Sequence, residues 1–205
     1  MVSTTFGRFA GASSLLAALS IFLYSVAFVL LRDNLLSGFF LLATGLLTLP
    51  LLVGLYGRLR VTEEHFALLA LLLGIAGAIG SAVHGGYDLA NAINPPAAIV
   101  PSTATLPSQV DPRGLLTFGV SGVAVFFFAW LIDRGHQLPR GLAFVGYLLA
   151  LLLVVLYVGR LTVLDASSIA ILGPALLAGF VVNPIWYAWL GISFLTAEEA
   201  GLAEQ

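Results

Sequence analysis

Six runs of roughly twenty apolar residues fill most of this chain, and about that many helical residues are needed to cross the hydrocarbon core of a bilayer. The runs lie at about 10–31, 35–56, 66–90, 115–132, 141–159 and 168–196. Runs of this length leave few folds open. Inside lipid every backbone N–H and C=O must find a partner within the protein, which helices achieve segment by segment. The composition agrees, at 60% hydrophobic and 9% charged. A water-soluble domain carries about 25% charged residues, so most of this chain must have lipid as its solvent. The expectation is an all-α polytopic membrane protein. It is a single transmembrane domain over 1–205, a bundle of six helices.

The first run exceeds the core of a signal peptide and lacks a small-x-small site followed by polar chain. It therefore reads as the first membrane helix. The charged residues gather in the breaks between runs. Counted on alternate sides, one side holds Arg8, Arg58, Arg60, Arg134 and Arg140, and the other Arg32, Arg113 and Arg160. The arginine-richer side is cytoplasmic by the positive-inside rule. This gives an N-in/C-in topology with an outer loop at about 92–113. That loop is rich in proline (Pro95, Pro96, Pro101, Pro107, Pro112) and is expected to lie extended over the mouth of the bundle.

Several function classes fall away. The net charge of −2 gives no case for nucleic acid. All eight basic residues are Arg, so lysine Schiff bases and P-loop lysines are excluded, and no Cys is present for disulfides, thiolate metal sites or thiol nucleophiles. No GxSxG, P-loop or dinucleotide-binding pattern occurs. A catalytic zinc wants three protein ligands, and His65 and His136 fall on the side opposite His84, so no metal is expected. A bis-His haem fails for the same reason, and no cofactor is predicted.

The stretch "SAVHGGYDLANAINPP" at 81–96 departs from this apolar background. His84, Tyr87, Asp88 and Asn91 fall at i, i+3, i+4 and i+7, which is one face of a helix. With a helix start near Phe66, His84 lies about 27 Å along, toward the outer end. An ionisable residue inside a membrane helix is a functional-site hypothesis by default. An i, i+4 carboxylate can also orient an imidazole. The bland alternative is a helix emerging into water. Polar side chains at matching depth weigh toward a pocket: Tyr24 (with Ser25) on helix 1, Thr117 and Ser121 on helix 4, and Arg160 (with Tyr157) on helix 5. Arg160 is a natural partner for Asp88 or Asp165. The preceding "GIAGAIGSAVHGG" carries two rows of small residues, which suit a helix with neighbours on two sides.

Helix 6 carries Asn183 before Pro184, where a kink is expected because proline frees a carbonyl and bends the helix. Trp186, Tyr187 and Trp189 read as an interfacial aromatic belt. The cluster from Arg58 to His65 reads as a solvated loop that anchors topology. "VGLYGRLRV" at 53–61 faintly echoes "VLYVGRLTV" at 155–163, the kind of echo an inverted repeat leaves.

"LLTLPLLVGLYGRLR" closing helix 2 and "NPIWYAWLGISFL" in helix 6 resemble stretches of uncharacterised bacterial six-helix integral membrane proteins, a domain-of-unknown-function family. The resemblance implies a multi-pass protein of the prokaryotic cytoplasmic (inner) membrane and carries over no functional residue. Three functions are then open. One is an outward-facing polar pocket that binds or conducts a small ligand, ion or proton. The second is a non-catalytic accessory subunit, partnered by other membrane proteins or by a second copy of the chain. The third is a membrane enzyme acting on lipid, with His84 as acid or base.

Overall fold

The computed structural model describes the backbone of residues 4–95, 114–163 and 168–203, and the side chains of 5–95, 114–163 and 168–196. Six helices are long and apolar enough to cross a membrane: α1 (Thr5–Leu31), α2 (Asn34–Leu59), α3 (Glu64–Ile93), α4 (Leu115–Gly135), α5 (Arg140–Thr162) and α6 (Ile169–Thr196). The described residues contain no strand. From residue 96 onward the expected outer loop lies outside the described residues, as does Asp165.

The helix ends follow local chemistry. Asp33 caps α2, its carboxylate accepting from the Leu35 and Leu36 amides at 2.9 and 3.0 Å. This is the cap a helix start favours. Arg32, with φ 53°, makes the left-handed reversal between α1 and α2. Pro139 immediately precedes α5, where a missing amide proton costs nothing. α3 stops at Ile93, just before Asn94 and the extended geometry that Pro95 imposes.

Each helix packs on its neighbours in sequence, and α6 returns to α1, so the six close into a ring. The burial pattern inverts that of a soluble protein. The buried polar residues are all serines and threonines, among them Ser14, Thr44, Thr48 and Thr117, while Leu72, Phe144, Leu151 and Ile169 stand exposed. An apolar exterior over hydroxyl-bearing seams is what a lipid solvent selects.

Small residues set the closest seams. A Cβ on Gly45 of α2 would lie 2.5 Å from the Ala78 carbonyl and 2.6 Å from the Ala82 nitrogen of α3. A Cβ on Gly191 of α6 would lie 2.8 Å from the Gly11 carbonyl of α1. Ser14, fully buried, donates to the Tyr187 carbonyl at 2.6 Å and ties α1 to α6.

Three helices widen into π-helical turns: Val26–Leu31 in α1, Leu115–Val120 in α4 and Ala178–Val182 in α6. The last lies directly before Asn183-Pro184. Pro184 has no N–H for the Phe180 carbonyl four residues back, and a local π-turn is one way a helix absorbs that loss.

Two local expectations fail. Trp186 does not face outward as a belt residue would; it is 2% exposed and among the largest fully buried side chains. Gly146 of α5 makes room for it, since a Cβ there would meet the indole at 2.6 Å. Arg58 is not simply solvated. Its guanidinium lies 3.8 Å from the Phe194 ring centroid and donates to the Ser193 and Phe194 carbonyls at 3.3 and 3.4 Å. Arg60, Glu63, Glu64 and His65 are exposed.

Candidate functional site

Glycines bring α4 close to α3 at the site. A Cβ on Gly77 would collide with Ser121, and one on Gly80 would collide with Leu116. That approach carries Thr117, in the α4 π-turn, to the imidazole of His84. His84 Nδ1 and Thr117 Oγ1 are 3.4 Å apart. On the other side of the ring, His84 Nε2 and Asp88 Oδ2 are also 3.4 Å apart. Both contacts sit at the long end of hydrogen-bond geometry. The His84 side chain is 12% exposed and that of Asp88 is 37% exposed, so the row Thr117–His84–Asp88 runs from the interior toward the surface.

The donors in this row follow from chemistry. A carboxylate only accepts, so Nε2 must carry the proton that faces Asp88. In the neutral imidazole Nδ1 is then an acceptor, and Thr117 donates to it. In the imidazolium both nitrogens donate, and the Thr117 proton must turn away from the ring.

The other residues of the expected pocket divide into two groups. Tyr24 of α1 lies close enough to Asp88 and Arg160 to feel both charges. Arg160 of α5 sits 5.9 Å from the centroid of the Phe118 ring. Tyr157, one turn earlier, lies over Gly119 of α4. Ser121 is half-buried one turn below Thr117 and donates to the Leu116 carbonyl at 3.1 Å. Tyr87, by contrast, is 57% exposed, while Asn91 is half-buried one turn further out.

Beneath this row is a cavity of about 90 Å³ at the centre of the ring, with walls from all six helices. Tyr24, Thr44, Thr48, Ser81, Thr117, Ser121, Asn183 and Tyr187 supply its polar lining. Leu51, Leu52, Leu55, Phe128, Leu153 and Trp186 make up much of the rest. Asn183, expected at the kink of helix 6 and deeper than the His84 face, shares one cavity with Thr117. Thr44, Thr48, Ser81 and Tyr187 were not foreseen as site residues. The available signal was Thr44 and Thr48 at i, i+4 beside Gly45, a polar pair next to a close-approach residue. A wider groove of about 550 Å³ between α4 and α5 is lined by residues such as Gly122, Phe126, Phe127 and Tyr147 on the exposed apolar side, and offers almost no polar atoms.

Among the described residues no group of three or more His, Asp or Glu is placed to hold a metal ion. No family model, curated protein or solved structure matches the chain.

Proposed function

We propose that this chain is a multi-pass protein of a prokaryotic cytoplasmic membrane, with both termini in the cytoplasm, that takes up protons at the outer end of its helix ring through His84 and Asp88. Six membrane-length apolar helices support the multi-pass reading. The five-to-three arginine bias and the resemblance to bacterial six-helix proteins support the membrane and its sidedness.

The observation that carries the reading is the row Thr117–His84–Asp88, which links a half-exposed carboxylate to a hydroxyl on the cavity wall. Histidine changes charge between roughly pH 5 and 8 without any perturbation, which suits it to the role. Size narrows the ligand. Pockets for organic molecules measure about 300–1,000 Å³, whereas this cavity measures about 90 Å³. At ~30 Å³ per water it holds about three waters or a small ion.

Protonation of His84 completes an ion pair with Asp88 and turns the Thr117 hydroxyl proton away from the ring. Among the described residues the titratable groups around it are Asp88 and Tyr87 on α3, Tyr24 on α1, and Tyr157 and Arg160 on α5. α4 contributes the neutral Thr117 and Ser121.

The test is proton uptake and flux in liposomes with a trapped pH dye. His84→Ala and Asp88→Asn are expected to remove the response to an acid pulse, and Tyr87→Phe to leave it intact. An unchanged response in both His84→Ala and Asp88→Asn removes the pocket from consideration.

A further inference from the structure

The hydroxyls around the central cavity are oriented in a way their residue types alone do not announce. Each Ser or Thr has one proton to donate and two lone pairs. Thr44 donates to the Phe40 carbonyl at 2.8 Å, Thr48 to Thr44 at 2.7 Å, Ser81 to Gly77 at 3.0 Å and Ser121 to Leu116 at 3.1 Å. Thr117 donates to neutral His84. Five lining hydroxyls therefore have their protons committed elsewhere, and what they can offer a guest is oxygen lone pairs. Tyr24, Tyr187, Asn183 and the Trp186 indole bring donors as well, but these hydroxyl oxygens are the larger part of the polar lining in an otherwise mostly apolar wall.

We propose that this cavity binds one small monovalent alkali cation, held by neutral hydroxyl oxygens and one or two waters. A ring of neutral oxygens can replace part of an ion's hydration shell, as carbonyl oxygens do in selectivity filters. Lone pairs repel an anion, and the volume refuses an organic cation. Charge is not the source of the preference, because Arg160 offsets Asp88 near the mouth; the donor geometry is. The far side of the cavity is apolar, with Leu52, Leu55 and Phe128 in its wall, so the ion comes and goes from the His84 end. Only that route of access rests on the proposed function; the identity of the ligand does not.

The experiment is equilibrium binding of radioactive sodium and rubidium to the full chain in detergent, in choline buffer at mildly alkaline pH, with radioactive chloride as the anion control. Wild type is expected to bind one cation per chain saturably and no chloride. Thr48→Val and Ser121→Ala each remove one lining oxygen and are expected to weaken binding about tenfold. Thr48→Ser keeps the oxygen and is expected to bind as wild type. Size-exclusion profiles and melting curves identify any variant that has not folded, and the Thr48→Ser and Thr48→Val pair then decides the matter. Absence of saturable cation binding in wild type overturns the proposal. So does chloride binding, or equal affinity in folded Thr48→Val and Ser121→Ala. His84→Ala separates the two readings: loss of the liposome proton response with cation binding retained supports both. A proton response without cation binding removes only the cation site, and cation binding without a His84-dependent response removes only the proton site.

Discussion

Adding one methyl group at Gly45 should force α2 and α3 apart. A Cβ there meets the Ala78 carbonyl at 2.5 Å and the Ala82 nitrogen at 2.6 Å, against ordinary contact from 3.4 Å. Both partners are backbone, so no side chain can rotate away, and the helices must separate by roughly 1 Å. Overpacking of this kind costs about 1–3 kcal/mol. Alanine recovers about 1 kcal/mol of helix propensity, which leaves Gly45→Ala destabilised by up to about 2 kcal/mol. Gly86 on α3 is the control, because a Cβ there meets nothing within 4 Å. Only the propensity gain applies at Gly86, so Gly86→Ala should be more stable by up to about 1 kcal/mol. The propensity gain cancels between the two variants, and at ~2–4 °C per kcal/mol for a chain of this size the two melting midpoints should differ by roughly 2–12 °C. Thermal melts of detergent-solubilised protein, followed by helical circular dichroism, supply the comparison. Equal midpoints, or a more stable Gly45→Ala, would refute the packing of α2 on α3.

Three further outcomes are expected. Asp33→Ala removes the cap from the Leu35 and Leu36 amides and should lower stability by about 0.5–2 kcal/mol in the same melts, with Asp33→Asn close to wild type. Arg58→Ala removes the contact with the Phe194 ring and two carbonyls near the end of α6; protease sensitivity of the 197–205 tail should rise, and Arg60→Ala should leave it unchanged. Trp186 is 2% exposed, so in a Trp130→Phe/Trp189→Phe background its fluorescence should resist quenching by aqueous iodide. Ready quenching would place it at the interface after all.

How far the sequence reached depends on the scale of the question. Helix positions were legible because length and apolarity alone decide them: the run at about 66–90 is the helix Glu64–Ile93, and that at about 141–159 is Arg140–Thr162. The extra residues are polar end turns, which hydropathy does not count. The His84–Asp88 contact was legible because i, i+4 spacing on a helix makes neighbours without tertiary information. The meeting of His84 with Thr117 was not. It depends on how closely Gly77 and Gly80 let α4 approach, and periodicity has no measure of that. Thr44 and Thr48 left only a weak signal, their i, i+4 spacing beside Gly45, for a related reason. Hydroxyls that donate to their own helix are common in membrane spans, and only the closed ring turns these two into a shared wall. Trp186 misled because aromatics near a helix end usually mark the interface; the space that receives it belongs to Gly146, on another helix.

The central claim is that His84 is a working proton site wired to both Asp88 and Thr117. Nitrogen-15 NMR of histidine-labelled protein in lipid, titrated across the range where histidine ordinarily changes charge, tests it most directly. The account predicts that neutral His84 carries its proton on Nε2, that Nδ1 is an acceptor, and that Thr117→Val alters the Nδ1 signal while leaving those of His65 and His136 unchanged. A neutral His84 protonated on Nδ1, or one that never exchanges its proton with the bulk across that range, would contradict it.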